Sequence, residues 1–259
     1  MTNDELFIQQ IEMLDTFLQK GSISNEQYLK SASVLACKMK GCISGTQAAA
    51  ADRIAIDVLK IPSLTLMENA SFQAAEYIRE HYGEEKRVLI LCGTGNNGAD
   101  GVCIGRMLLE SGYPVRVLVC GNPEKETAEF RIQEERYKKA GGEISFFHEN
   151  DVLPETELLV DAVFGTGLHR PVSGIYRTLI EAADALRTEE KIAVDIPSGI
   201  NSDTGELMGA GIKADVTVTF GKNKTGLLIG EGRKYAGHVE VREIGIPEEA
   251  YVKNQTGEM

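Results

Sequence analysis

Continuous runs of apolar residues recur along the chain and predict the strands of a buried sheet. The run RVLILC at 87–92 is apolar after its first residue, which is typical of a strand covered on both faces. Similar runs follow at 115–120, 158–164, 192–196, 214–220 and 238–244. Segments with helical character separate the earlier runs, at 101–111, 125–140 and 174–187. This alternation predicts an α/β fold, with a parallel sheet and helices on both faces.

The pattern of residues 1–43 predicts a helical hairpin. It precedes the main domain, which we assign to residues 44–259. Apolar residues fall at helical spacing in the first helix, and Ser24 with Gln27 forms a capping box that opens the second. The hairpin is too short to bury its own apolar stripe, so we expect it to pack on the main domain or on another subunit. All candidate ligand loops lie beyond it, so we expect it to be dispensable for chemistry. Two more helices are predicted before the first strand, at 47–60 and about 64–82.

Composition and charge limit the class of protein. No run of about 18 apolar residues predicts a membrane span, and the N-terminus MTNDELFIQQ lacks the features of a secretion signal. The 5 cysteines are odd in number and show no C-x-x-C spacing, which favours a reduced, cytoplasmic protein over a disulfide scaffold or a zinc site. The net charge of −12 disfavours nucleic-acid binding. A small anionic ligand would require a locally positive pocket.

The first candidate loop, Gly93–Gly101, follows a strand and matches G-x-G-x-x-G. Such glycines allow phosphate to approach the backbone at a helix N-terminus, although a plain glycine-rich turn is an alternative. A dinucleotide-dependent dehydrogenase also carries an acidic residue about 20 positions on. That place holds Cys120-Gly121-Asn122, which argues against an NAD-dependent oxidoreductase.

Two further loops follow strands. Gly165–Pro171 combines glycines with the fixed charge of Arg170. Asp161, in the strand before it, is either a buried hydrogen-bond anchor or the partner of a cation. The third loop begins with Asp195, which interrupts an apolar strand where ligands bind in such sheets. Ser198 is also compatible with a cap for the next turn.

The GKNKTG segment adds two basic residues, Lys222 and Lys224, which could supply positive potential without forming a Walker A motif. His169 is the one histidine in the candidate loops, so a histidine-based triad lacks its other parts.

Taken together, six ordered blocks resemble the NAD(P)H-hydrate epimerase family. The blocks are IPSLTLMENA (61–70), CGTGNNGADG (92–101), VDAVFGTGLHR (160–170), VDIPSGINSDTGE (194–206), ADVTVTFGKNKTGLL (214–228) and GHVEVREIGIP (237–247). They cover roughly residues 45–250 in matching order and spacing, which is far more specific than any single motif.

The resemblance implies a Rossmann-like three-layer α/β/α sandwich, usually a homodimer, that interconverts the R and S forms of hydrated NADH and NADPH (NADHX and NADPHX). By matched position, the substrate-binding residues are Asn96, Asn97, Gly98, Ala99, Asp100, Gly165, Thr166, Gly167, Leu168, His169, Arg170, Pro171 and Asp195. The resemblance also implies a potassium ion held by Asn97, Asp161 and Ser198, whose oxygen donors suit a hard cation. The dehydratase that some relatives carry fused is expected to be a separate protein here.

This sequence departs from the family pattern at two places. Ala99 stands where the family usually has glycine, which is awkward if that position needs a positive φ. Ser71 replaces a second family glycine. A catalytically silent nucleotide-binding or scaffold protein remains an alternative, although it would have no use for Asn97, Asp161 and Asp195 together.

Asp195 is the candidate acid–base residue. The hydroxylated carbon of NADHX also bears the ring nitrogen, so its configuration is lost by expelling the hydroxyl or by opening the ring. Either route moves a proton on or off oxygen, which a positioned carboxylate accelerates by about 10²–10⁴-fold. Asp100 and Asp161 are competing carboxylates, but a bound cation would keep Asp161 ionised.

Overall fold

The protein contains a seven-stranded parallel sheet, seen in a computed structural model that describes residues 2–251. The strands are β1 (Val88–Cys92), β2 (Val115–Val119), β3 (Ile144–Phe146), β4 (Leu158–Ala162), β5 (Glu190–Val194), β6 (Val216–Phe220) and β7 (His238–Arg242). They lie in the order β3-β2-β1-β4-β5-β6-β7, and every neighbouring pair is parallel. The predicted α/β fold is confirmed, and the sheet is parallel throughout rather than mostly so.

Helices cover both faces of this sheet. They are α1 (Asn3–Gln19), α2 (Asn25–Lys40), α3 (Gly45–Arg53), α4 (Ser63–His81), α5 (Asn96–Glu110), α6 (Ala128–Lys139), α7 (Gly174–Ala185) and the short α8 (Gly232–Tyr235). α3 continues through a wider turn, Ile54–Val58, in which the Leu59 N–H donates to the Ile54 carbonyl at 3.0 Å. No helix among residues 2–251 is long and apolar enough to cross a membrane.

Alternate residues of each central strand enter two different cores. In β1, Val88, Ile90 and Cys92 pack against α4, α5 and α6. Leu89 and Leu91 instead pack with α7 and the segment around Ile212. All five positions of β1 are buried, because helices cover both faces, which is why this strand reads as a continuous apolar run. The result is the expected three-layer sandwich.

Two details differ from the sequence-based expectations. α5 begins at Asn96 rather than near residue 101, so Asn96–Asp100 form its first turn and the connecting loop is Gly93–Gly95. Ala99 therefore has helical backbone and is fully buried, and alanine is tolerated without a positive φ. The edge strand β3 was not predicted, because its outer two residues are only partly buried and its middle residue, Ser145, is polar and exposed.

The N-terminal hairpin packs on the main domain. The buried residues of α1 and α2 form one cluster with Ile229, which is fully buried beneath them. The Tyr28 hydroxyl donates to Asp15 at 2.7 Å and accepts the Gly230 N–H at 3.1 Å. The first of the two expected packing arrangements, on the chain's own main domain, is the one observed.

Candidate functional site

A cleft of 660 Å³ opens at the carboxyl edge of the sheet. After β2 and β3 the chain returns to place β4 on the other side of β1, so the strand order reverses direction there. Crevices at such switch points are the usual ligand sites of open parallel sheets. The loops after β1 and β4 meet at this point, and both line the cleft together with Asp195 and Lys224.

Three helix N-termini face the cleft. Ser63 at the start of α4, Asn96 at the start of α5 and Thr127 at the start of α6 all line it. The unpaired N–H groups and the dipole at a helix start attract anions, each contributing about 0.3–1 kcal/mol. These helix starts supply positive potential for an anionic ligand, in a cleft that Asp52, Asp100, Glu129 and Asp195 also line.

The turn that starts α5 depends on glycine. A Cβ atom on Gly98 would lie 1.8 Å from the carbonyl oxygen of Gly93. Only glycine therefore lets the helix start this close to the end of β1. Gly98 and Ala99 are themselves buried behind the cleft surface, whereas Asn96, Asn97 and Asp100 line it.

The predicted second loop divides into two parts. Gly165, Thr166, Gly167 and Leu168 line the cleft, beside the ring pair of Phe164 and Tyr176, whose centroids are 4.9 Å apart. The remaining residues of the loop, His169, Arg170 and Pro171, are exposed and are not part of the cleft wall. The cationic side chain that reaches the cleft comes instead from the loop after β6.

Asp195 stands at the end of β5 with a left-handed backbone, φ 68°. This conformation is uncommon for a residue other than glycine and is found disproportionately at functional sites. Its Oδ1 accepts hydrogen bonds from Lys224 Nζ at 2.5 Å and from the Thr219 hydroxyl at 3.1 Å. The carboxylate is therefore held in one orientation while its side chain stays 16% exposed toward the cleft.

Lys224 is a buried cation, with a side chain 3% exposed. Its Nζ also donates to the Thr219 hydroxyl at 2.9 Å and to the Phe220 carbonyl at 2.8 Å. The backbone beside it pairs with the chain just after α2, where the Thr225 N–H donates to the Ile43 carbonyl at 2.9 Å. The neighbouring Lys222 instead forms an ion pair with Glu248, away from the cleft.

Asp161 and Ser198 lie together behind the cleft surface. The Ser198 hydroxyl donates to Asp161 Oδ1 at 2.5 Å, and its backbone N–H donates to Oδ2 at 2.7 Å. Burial raises the pKa of Asp161 to about 6, against the lowering effect of these two hydrogen bonds. Asn97 packs against Gly165, and its buried Nδ2 has no hydrogen-bond partner among residues 2–251.

Sequence reasoning missed Asp52, a cleft residue on α3. It is exposed at the cleft, where partial desolvation and then the charge of Asp195 raise its pKa from 3.8 to about 6, and Lys224 opposes this rise. Burial and the charges of Asp195 and Asp52 also raise the pKa of Asp100 well above its usual value. The available signal was helical spacing, since Ala48, Asp52 and Ile56 share one face and all line the cleft.

Comparison with known proteins matches most of the chain to relatives of one kind. Residues 63–226 match the family model described as "YjeF-related protein N-terminus". The chain is 40% identical over 204 residues to an NAD(P)H-hydrate epimerase of Limosilactobacillus fermentum, covering 78% of this chain and 95% of that one. It is 38% identical to an NAD(P)H-hydrate epimerase of Oenococcus oeni, covering 80% of this chain and 97% of that one.

Two further matches extend the comparison. The bifunctional NAD(P)H-hydrate repair enzyme of Moorella thermoacetica is 39% identical over 207 residues, covering 76% of this chain and only 39% of that enzyme. The crystal structure of the yeast protein ynu0 superposes with a TM-score of 0.64 at 22% identity, covering 78% of this chain and 86% of that one. The yeast structure supports the fold, and the curated relatives support the family.

Proposed function

This chain belongs to the NAD(P)H-hydrate epimerase family, and we propose that the cleft interconverts the R and S forms of hydrated NADH and NADPH. The chain is an isomerase of metabolite repair. The observation that carries the assignment of the site is the buried Lys224 bound to Asp195 at 2.5 Å, in the cleft that opens where the strand order reverses between β1 and β4. This pair combines a fixed carboxylate with a position where dinucleotides bind in related folds.

The cleft offers a matching surface for each part of the dinucleotide. The helix starts at Ser63, Asn96 and Thr127 provide N–H groups for the pyrophosphate. The Phe164–Tyr176 pair and Leu168 provide apolar surface for a planar ring. A volume of 660 Å³ lies within the usual range of about 300–1,000 Å³ for ligand pockets. The loop residues His169–Pro171 are exposed, so they would contact only the part of the substrate that lies at the mouth of the cleft.

Asp195 is the acid–base residue of this proposal. Its carboxylate faces the cleft, and Lys224 and Thr219 hold one of its oxygens in place. The other oxygen is left to exchange a proton with the hydroxyl on the reacting carbon. Such a positioned group contributes about 10²–10⁴-fold to the rate of proton transfer.

We propose that a potassium ion binds near Asn97, Asp161 and Ser198. The residues fit a hard cation because each offers an oxygen donor. Asp161 is 1% exposed and has hydrogen bonds but no cationic partner among residues 2–251. A buried carboxylate is costly without a compensating charge, which a potassium ion would supply. Bound there, the ion would fix the loops after β1, β4 and β5 relative to one another.

The ion is tested by thermal unfolding in potassium chloride and in an equal concentration of N-methylglucamine chloride. Potassium should raise the unfolding midpoint of the native protein, because an ion that binds only the folded state stabilises it. Asp161→Asn should lose this increment. Equal midpoints of the native protein in both salts would remove the ion from the proposal.

Three further assignments complete the proposal. We propose that a separate dehydratase consumes the S form that this enzyme produces. A homodimer is supported by the family resemblance and is tested by light scattering. A cytoplasmic location is supported by the 5 unpatterned cysteines.

The direct test is a coupled assay. Purified R-NADHX is mixed with the protein and a dehydratase that accepts only the S form, beside a protein-free control. An epimerase converts the whole sample, whereas the control proceeds at the slow spontaneous rate. A scaffold protein would bind the dinucleotide and leave the rate unchanged. An oxidoreductase would instead deplete NADH in the presence of an added aldehyde or ketone.

A further inference from the structure

Asp52 faces the cleft without a partner. It lies on α3 beside Ala48 and Ala49, which also line the cleft. Neither of its oxygens accepts a hydrogen bond from any of the residues 2–251. Helix α3 itself is fixed by the Ser44 capping box and by the Gly45 N–H, which donates to Asp203 at 2.5 Å. The carboxyl group is therefore held at the cleft by a rigid helix and is free to contact a ligand.

Asp52 and Asp195 differ in their hydrogen-bond partners. Asp195 is engaged by Lys224 and Thr219, whereas Asp52 has no hydrogen-bond partner among residues 2–251 and is exposed at the cleft. Four ionisable groups influence Asp52: Asp195, Asp100, Lys224 and Tyr251. The net result is a pKa of about 6 for Asp52, raised first by partial desolvation within the cleft and then by the charge of Asp195. A carboxyl with such a pKa both gives and accepts protons near neutral pH.

Epimerisation at a carbon that bears a hydroxyl is difficult for a single carboxylate to catalyse. If the hydroxyl is expelled from one face of the ring and water returns on the other, proton transfer is needed on both faces. Asp195 comes from the end of β5, at the strand ends, while Asp52 comes from α3. The cleft thus presents carboxyl groups from two different elements to one ligand.

We propose that Asp52 is the second acid–base group of the reaction, serving one face of the hydrated ring while Asp195 serves the other. This inference rests on the proposed epimerase function. It assigns a proton-transfer role to a residue outside the glycine-rich loops and the strand-end loops.

In the proposed step, the carboxyl of Asp52 donates its proton to the departing hydroxyl. The carbon–oxygen bond breaks, the hydroxyl leaves as water, and the ring-nitrogen lone pair forms a carbon–nitrogen double bond. A water molecule then adds to the opposite face, the lone pair returns to nitrogen, and Asp195 accepts the proton of that water. The proton returns to Asp52 through solvent or through the reverse reaction. The pair therefore carries one proton in either direction, and no oxidant or reductant is needed.

The test uses Asp52→Asn with Asp57→Asn as the matched control. Asp57 follows Asp52 in the same helical segment, is exposed, and does not line the cleft. We expect Asp52→Asn to lower kcat by about 10²–10⁴-fold in both directions, with little change in KM or in the affinity for NADH. Asp57→Asn should match the native enzyme. Asp52→Glu, which keeps the acid, should retain more activity than Asp52→Asn.

Two further readouts separate chemistry from a structural role. The native kcat/KM should fall as the pH rises through an apparent pKa near 6, because the pair must keep one proton, and the residual activity of Asp52→Asn should lack this limb. In water enriched in oxygen-18, each epimerisation should incorporate label, as expulsion of the hydroxyl requires.

Native activity in Asp52→Asn, an unchanged pH limb, or epimerisation without label would each overturn the inference. These results are all measured against an active native enzyme. A native protein that fails to epimerise at all would instead refute the proposed function.

Discussion

Removing the cation beside Asp195 should damage both stability and activity. In Lys224→Met, a side chain of similar length fills the space, but three hydrogen bonds from Nζ are lost. Breaking a buried ion pair by deleting one partner typically costs about 3–5 kcal/mol. Asp195 is 16% exposed and can be partly solvated from the cleft, so we expect a loss nearer about 2–3 kcal/mol.

Lys222→Met is the natural control, two positions away. Lys222 pairs with Glu248, whose side chain is 71% exposed, and such surface pairs contribute about 0–1 kcal/mol. The free energy of unfolding is measured for both variants by urea titration, and epimerase activity by the coupled assay. We also expect Lys224→Met to lose about 10²-fold or more in kcat, since Asp195 is no longer held in place.

A double variant isolates the pair itself. Asp195→Asn with Lys224→Met should be less destabilised than the sum of the single variants, because neither charge is then left alone. If Lys224→Met loses no more stability than Lys222→Met, the buried pair does not organise the site as described here.

Three more predictions follow from the geometry. Gly98→Ala should lower the free energy of unfolding by more than about 2 kcal/mol, because the new Cβ would lie 1.8 Å from a backbone oxygen. In the control Gly95→Ala, the new Cβ meets nothing within 4 Å, so the free energy of unfolding should change little; both variants are measured by urea titration. Asp52→Asn should be more stable than the native protein above pH 6, because folding raises the pKa of Asp52 from 3.8 to about 6 and the charged carboxylate therefore destabilises the folded state at that pH. The gain in stability should disappear as the pH falls toward 4, and a gain that does not vary with pH would contradict the prediction. Deleting residues 1–41 should lower the unfolding midpoint, because Ile229 would become exposed to solvent. Epimerase activity should be retained, because the pairing of Ile43 with the Lys224 loop remains; a folded but inactive variant would contradict this.

Much of the fold could be predicted because burial leaves a strong pattern in the sequence. β1 and β4 are covered on both faces, and each reads as an apolar run. The loops after these strands were correctly expected at one edge, because the carboxyl ends of parallel strands meet there. β3 was missed, since a short, half-covered edge strand has no such run.

The candidate site was predicted only in part, because the direction of a side chain depends on tertiary contacts. Lys222 and Lys224 are indistinguishable in the sequence, yet the pairing of the Lys224 loop with Ile43 buries one and leaves the other at the surface. Arg170 was expected to supply positive charge but is exposed outside the cleft wall. Asp52 belongs to a helix whose contact with the strand ends is non-local, so the loops alone could not reveal it.

Asp195→Asn tests the central claim most directly. Asparagine tolerates the left-handed backbone at this position and can still accept the Thr219 hydroxyl, but it cannot accept a proton. Epimerisation of R-NADHX and binding of NADH are measured for the native and variant proteins, with circular dichroism to confirm folding. We expect binding to be retained and the epimerisation rate to fall by about 10²–10⁴-fold. A folded variant that epimerises at the native rate would contradict the account, and Asp100 would then be the next carboxyl group to replace.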